Sequence, residues 1–229
     1  MIFPELIPGT FIKRDQRFVA GVRLENGQVT TAYVPTTGRL TGVLRPGCRV
    51  WLEPVLASGR KTSFNLALTE LIQGGFCSVN AVLANHLFHE AVQAGDLPAF
   101  PYPSLATEVP FGRSRLDFRL SDGDSTCWVE VKSVTYAEEG LGKFPDAPTG
   151  RGRKHLLELA NLVQRGERAC VVFIVQREDA LRFEPYEAID PDFTDTLRKV
   201  HREGVEVHAF RCAVSLQSIV IVETIPVAL

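Results

Sequence analysis

The residues of this chain best suited to act together are Asp117, Glu130 and Lys132. Asp117 lies within Arg113-Ser114-Arg115-Leu116-Asp117-Phe118-Arg119-Leu120, and the other two within Cys127-Trp128-Val129-Glu130-Val131-Lys132, with a turn-forming stretch from Ser121 to Thr126 between them. Both flanks read as strands, and side chains alternate faces along a strand, so Glu130 and Lys132 share a face. Asp117 shares one with Arg113, Arg115 and Arg119, which puts Leu116, Phe118 and Leu120 on the other. A turn at Gly123-Asp124 sets Asp117 opposite Glu130. A turn at Asp122-Gly123, a common hairpin signal, sets it opposite Trp128 and diagonal to Glu130. The registers differ by an even step, so the three side chains keep one face in both. Facing carboxylates repel unless a cation lies between them, and hard oxygen ligands suit Mg²⁺, which coordinates at about 2.1 Å and keeps several waters. A lysine beside the ion can hold a phosphate oxygen or orient an attacking water. The competing reading is a solvated hairpin face, with the carboxylates paired to Arg115 and Arg119 and Lys132 paired across the strands.

The constellation resembles the PD-(D/E)xK metal-dependent nuclease site, with Leu116 where that motif has proline. The resemblance implies Mg²⁺ or Mn²⁺ held by Asp117, Glu130 and the carbonyl of Val131, with Lys132 stabilising charge in the transition state. Some enzymes of that fold add a helix glutamate. Glu90 is the candidate here, against a solvated helix carboxylate. His86 and His89 on the same stretch read as helix-surface residues.

The elements that must position these groups fall into two parts. Residues 1–73 read as short strands cut by turn signals at Asn26-Gly27 and Pro46-Gly47, the pattern of a small closed barrel. An OB-type barrel is the common five-stranded form that binds nucleic acid; an SH3-like barrel is the alternative. Gln73-Gly74-Gly75 reads as a hinge. From 76 to 229 the period changes. Asn80 caps a helix to Ala94, closed by Gly95. A strand from Glu108 precedes the acidic hairpin. Thr149 caps a helix from about Arg151 to Arg165, with Leu156, Leu159, Ala160 and Val163 as its core stripe. Ala169 to Val175 is an apolar run typical of a strand buried on both faces. Asp190-Pro191 opens a third helix, and strands at Val205–Phe210 and Ser218–Thr224 follow. The order α-β-β-β-α-β matches the restriction-endonuclease-like core, so the fold class is mixed α/β: an OB-type barrel followed by an endonuclease-like domain with a mixed central sheet. In that core the acidic site lies on the second and third strands of the meander.

Composition narrows the class. With 45% apolar and 23% charged residues and a net charge of −2, the chain is an ordinary globular protein. Charge is unevenly spread: residues 1–61 carry nine Lys/Arg against four acids. A basic half is the footprint of a phosphate-binding surface, or a solvated barrel exterior. Lys13, Arg14 and Arg17, with Phe11 and Phe18 among them, fit a strand-gripping face, with Arg39, Tyr33 and Thr36 flanking it. The aromatics are equally candidates for core. Arg113 and Arg115 on the hairpin, and Arg153, Lys154 and His155 at a helix start, are further candidates for phosphate contacts. The five scattered cysteines fit free thiols in a reducing cytoplasm. No signal-peptide layout or membrane-length apolar run is present. No P-loop, G-x-G-x-x-G or G-x-S-x-G supports nucleotide or serine hydrolysis.

Longer segments carry a more specific resemblance. Lys13-Arg14 with Arg17-Phe18, Thr37-Gly38, Arg113 to Phe118, Val129 to Thr135, Phe144-Pro145-Asp146-Ala147 and Gly152-Arg153-Lys154-His155-Leu156 are similar to the sugar fermentation stimulation protein A family along nearly the whole chain. That resemblance implies an OB-type domain, a nuclease-like domain, DNA binding and a regulatory link to sugar metabolism. It departs at Pro35-Thr36-Thr37-Gly38, which lacks the family's asparagine, and at Thr149-Gly150-Arg151-Gly152, which lacks an acid. DNA is the expected partner, cleaved or only bound. A homodimer is a further expectation, because nucleases of this fold that cut both strands often pair.

Overall fold

Alternating apolar positions and glycine-bearing turns give the first third of the chain its barrel. The structure is a computed structural model and describes residues 1–55, 59, 61–112 and 114–229. Strands β1 (Ile7–Gln16), β2 (Val19–Leu24), β3 (Val29–Tyr33), β4 (Arg49–Pro54) and β5 (Phe64–Glu70) pair in the order β3-β2-β1-β4-β5. Parallel pairing of β3 with β5, through Ala32–Phe64 and Tyr33–Asn65, closes the sheet. Closure removes the exposed edges. Phe11, Ala20, Val22, Val50, Leu52 and Leu66 fill the inside, so Phe11 is core.

The glycines at 74 and 75 make a hairpin turn, not a hinge. Strand β6 (Phe76–Ser78) pairs antiparallel with β5, and Leu71 N donates to Gly75 O at 3.0 Å. Both glycines sit at positive φ, 88° and 79°, which other residues reach only with strain. The barrel sheet therefore runs on through 78, beyond the expected boundary. The two parts also share a core: Trp51, Ala67 and Leu68 pack in one cluster with Leu83, Leu87 and Phe88.

The second domain comprises α1 (Val82–Ala94), β7 (Ser104–Phe111), β8 (Ser114–Ser121), β9 (Thr126–Val134), β10 (Tyr136–Glu138), β11 (Leu141–Phe144), α2 (Gly150–Gln164), β12 (Arg168–Val175), β13 (Arg182–Pro185), α3 (Pro191–Arg202), β14 (Glu206–Val214) and β15 (Ile219–Thr224). Its main sheet runs β15-β14-β12-β9-β8-β7. β12 is parallel to both β9 and β14 and buried on both faces. Its Cys170, Val172 and Ile174 face the α1 core, while Val171, Phe173 and Val175 face the α2–α3 core. The expected order of elements is present. The small sheet β10-β11-β13 is additional; its short strands carry too few residues to show a period. Among the described residues no helix is long and apolar enough to cross a membrane.

Side-chain caps fix where α2 and α3 begin. Thr149 Oγ1 accepts from Gly152 N at 3.0 Å, and Asp190 Oδ1 from Phe193 N at 3.0 Å. The other Asp190 oxygen accepts from Thr149 N at 2.7 Å, which ties the two helix starts together. Asn80 Oδ1 accepts from Val82 N at 3.0 Å and Gly95 ends α1 in the left-handed conformation. In α2 the buried stripe takes Leu162, leaving Val163 half-buried.

Candidate metal and nucleic-acid site

The hairpin adopts the register that opposes the two acids. Phe118 pairs with Val129 and Arg119 with Trp128, and the turn is Gly123-Asp124, with Gly123 at φ 103°. Asp122 accepts from the amides of Asp124 and Ser125 at 3.0 and 2.8 Å, which holds the turn. Continued by one residue, the ladder puts Asp117 opposite Glu130.

At that point β8 departs from regular alternation. Leu116 packs in the α2–α3 core and Phe118 and Leu120 in the α1 core, so the three do not share one face. The switch falls at Asp117, whose carboxylate takes over from the ladder: Oδ2 accepts from Val131 N at 2.8 Å and Oδ1 from Asn85 Nδ2 on α1 at 2.9 Å. Across β7–β8 the neighbouring Glu108 has φ 53°, marking the same irregularity.

Glu130 is 2% exposed. Its Oε1 is held by both Lys132 Nζ and His155 Nδ1, while Oε2 is buried with no partner. Leaving such an oxygen bare costs about 1–3 kcal/mol, more for a charged group, unless a cation meets it. Burial pushes the Glu130 carboxyl up, but Lys132 and His155 outweigh it and hold the group below its usual range. Asp117 goes the other way: burial first, then the charge of Glu130, push it up to about 6. The charge of Glu130 thus adds to burial in raising Asp117, as expected of two close carboxylates. Asp117 and Glu130 Oε2 are hard oxygen donors, so the residues fit a divalent cation of the Mg²⁺ class. At Val131 the amide donates to Asp117 Oδ2 at 2.8 Å, which sets the backbone of Val131 beside the acids.

Glu90 is not part of this site. It pairs with the Met1 amino group at 2.9 Å. Five residues after Asn85, it points about 140° away around the helix. Asn85 is the α1 residue that reaches the acids. Its one sequence signal is a polar, poor helix former inside an otherwise apolar-periodic helix. A second ligand-like group, Cys170, Glu206 and His208, is closed off: Arg168 binds Glu206 with two bonds of 2.7 Å.

A cleft of about 490 Å³ opens between the domains beside the acids. The barrel contributes Arg17, Thr36, Thr37 and Gly38, and the second domain Lys132, Ser133, Lys143, Asp146 and Arg151. The walls are latched together. Asp146 Oδ2 accepts from Leu40 N at 2.9 Å, and a Cβ on Gly38 would lie 2.7 Å from either Asp146 carboxylate oxygen. Arg14 braces the same loop by donating to Gly38 O at 2.7 Å and Thr36 O at 3.0 Å.

The expected phosphate-contacting residues therefore divide. Arg17 lines the cleft, and Arg39 a neighbouring hollow. Arg14 faces inward to backbone carbonyls. Lys13 pairs with Asp15 at 2.8 Å on the outer barrel, Arg115 with Glu108 at 3.4 Å, Arg153 with Asp192 and Lys154 with Glu158 at 3.8 Å. Arg113 lies outside the described residues. His155 is buried at 3% exposure and contacts Glu130, because the second turn of α2 packs its inward face on β9. The ring thus meets a carboxylate. Arg151 and Asp146, which the sequence showed only within family segments and without a role, line the cleft where the domains pack.

These features define a two-domain protein: a closed five-stranded OB-type barrel joined to a mixed α/β domain, with an acidic pair beside the interdomain cleft. Family models match both halves, the sugar fermentation stimulation protein N-terminal OB domain over residues 12–79 and its RE domain over residues 82–218. A sugar fermentation stimulation protein homolog of Moorella thermoacetica is 45% identical over 227 residues, covering 98% of this chain and 97% of the relative. One from Desulforamulus reducens is 40% identical, covering 100% and 95%. A solved structure, that of Pyrococcus furiosus SfsA in complex with Ca²⁺, superposes with a TM-score of 0.91 at 29% identity, covering 100% of this chain and 98% of that one. The chain belongs to the sugar fermentation stimulation protein (SfsA) family.

Proposed function

We propose that this protein is a divalent-metal-dependent phosphodiesterase that acts on DNA. Asp117 and Glu130 would hold Mg²⁺ or Mn²⁺, and Lys132 would face the phosphate. The observation that carries this reading is the buried, unpartnered Oε2 of Glu130 on the strand next to a second carboxylate. The Pyrococcus furiosus relative was solved with Ca²⁺, an ion of the same oxygen-seeking class, which supports it. A bound divalent ion polarises a phosphoryl oxygen and lowers the pKa of its water.

The chain's own residues do the rest. His155 and Lys132 fix Oε1 of Glu130, which leaves Oε2 as the ligand atom. Asn85 and the Val131 amide fix Asp117. Lys132, at the cleft wall, supplies a positive charge for a phosphate oxygen or the attacking water. A second reading, a DNA-binding regulator that does not cut, draws on the engagement of Lys132 with Glu130 and on the relatives' name, which speaks of sugar fermentation and not of hydrolysis.

Labelled single-stranded, duplex and branched DNA incubated with EDTA, Mg²⁺ or Mn²⁺ separates the two. Metal-dependent products are expected. Asp117→Ala and Lys132→Ala should reduce the rate by at least about 10²–10³-fold while leaving DNA bound. Products of equal yield in both variants, or none from the wild type with any metal, defeat the catalytic reading. Shifted but intact DNA throughout establishes the regulator. Calorimetry with Ca²⁺ tests the site without turnover: binding should vanish in Asp117→Ala.

A further inference from the structure

We infer that the nucleic acid taken by this site is a single strand, gripped at an aromatic platform on the barrel and led past the acidic pair through the interdomain cleft. This rests on the function proposed above and adds the form of its substrate.

The cleft holds about 490 Å³, within the ~300–1,000 Å³ of sites that enclose one small ligand, which is room for a nucleotide. Its width is fixed. The Asp146–Leu40 bond, the approach of Gly38 to Asp146 and the core shared by Trp51, Leu68 and Phe88 keep the walls from parting. Phe3 N to Gln217 O at 2.8 Å and Ser78 N to Gln176 O at 3.0 Å stitch the domains elsewhere.

Next to Arg17 of the cleft wall, the barrel carries an aromatic pair that a single strand can use. Phe18, 38% exposed, stacks on Tyr33 with centroids 6.1 Å apart and planes within 25°. The Arg17 guanidinium sits 5.9 Å from the Phe18 centroid and donates to Thr37 O at 3.3 Å in the cleft wall. One cation thus joins the aromatic platform to the cleft. Exposed rings stack on unpaired bases, and neighbouring cations track the backbone; in a duplex the base faces are already stacked and offer the platform nothing. Beyond the cleft, Gly150 and Arg151 also border a second hollow of about 710 Å³ that includes Arg115 and His155. Glu130 lies between the two hollows, since its partner Lys132 lines the first and its partner His155 the second. The first turn of α2 between them contains no acid, so no charge there repels a phosphate.

Fluorescence anisotropy in EDTA, where no cleavage competes, tests the strand preference with labelled oligo-dT, oligo-rU and a blunt duplex of equal length. One of the single strands should bind at least about tenfold tighter than the duplex. Phe18→Ala should weaken that strand by about tenfold, the value of one lost base stack, and the duplex by less than twofold. Phe18→Tyr, which keeps the ring, should bind like the wild type, and equal melting temperatures exclude misfolding. Duplex binding as tight as either strand, or an unchanged single-strand affinity in Phe18→Ala, overturns the inference. The measurement needs no metal. A protein that prefers single strands but cuts nothing keeps this inference and loses the catalytic one; a protein that cuts duplexes best does the reverse.

Discussion

In the barrel, the Arg14 guanidinium closes onto the carbonyls of Arg17, Thr36, Gly38 and Arg39, and Lys13 and Arg49 pair with Asp15 and Glu25. Across the cleft, Glu130 keeps one oxygen bare and Asp117 is held half-protonated near pH 6. The basic region, conspicuous in composition, has already used much of its charge on its own backbone and acids. The acidic region, unremarkable in composition, holds a buried carboxylate oxygen without a partner. Unmet electrostatic demand locates a site better than density of charge does.

This contrast can be broken from either side. The largest effect is expected for Glu130→Gln. The amide keeps the shape and removes the charge, so Ca²⁺ affinity measured by calorimetry should fall by more than the about 10–100-fold typical of losing an outer partner. Affinity within a factor of two of wild type would mean that the bare oxygen is not a ligand. Arg14→Ala comes next. It removes several charge-assisted bonds to the 36–39 loop and should lower unfolding stability in urea by about 2–3 kcal/mol. The slope of DNA affinity against salt should change by less than one phosphate contact. A full unit of slope with normal stability would make Arg14 a phosphate ligand after all.

His155→Ala sharpens the acidic side. With one fewer partner on Oε1 of Glu130, metal affinity should fall about 10–100-fold while the protein still melts cooperatively. An unchanged metal affinity would leave His155 as packing only. Acid tests the same pair. A cation must displace the proton from Asp117, whose pKa is raised to about 6. The Ca²⁺ dissociation constant should therefore be level above about pH 7 and rise about tenfold per unit below pH 6. A flat profile from pH 5 to 8 would exclude Asp117 as the titrating ligand. The smallest effect belongs to Lys13→Ala, an exposed pair with Asp15, expected to change stability by less than about 0.5 kcal/mol. A larger loss in melting experiments would show that the outer barrel charges matter more than their exposure implies.

The hairpin that carries Asp117 and Glu130, the caps at Thr149 and Asp190, the doubly buried Ala169–Val175 run and the barrel turns were legible because each depends on neighbours a few residues away, whereas the face switch of β8 at Asp117 was not. The sequence alone also narrowed the hairpin to two registers, both with the acids on one side. What it could not supply was long-range. Asn85 meets Asp117 across 32 positions and Asp146 meets Leu40 across 106. His155 turns inward to Glu130, and Glu90 turns outward to the chain start. Helical period ranks faces by hydrophobicity, and a polar residue buried against another polar residue runs against that ranking. Which charged groups are satisfied, and that Oε2 of Glu130 is not, depends on the packing of α1, α2 and the barrel loop around the hairpin, and only the tertiary structure decided it.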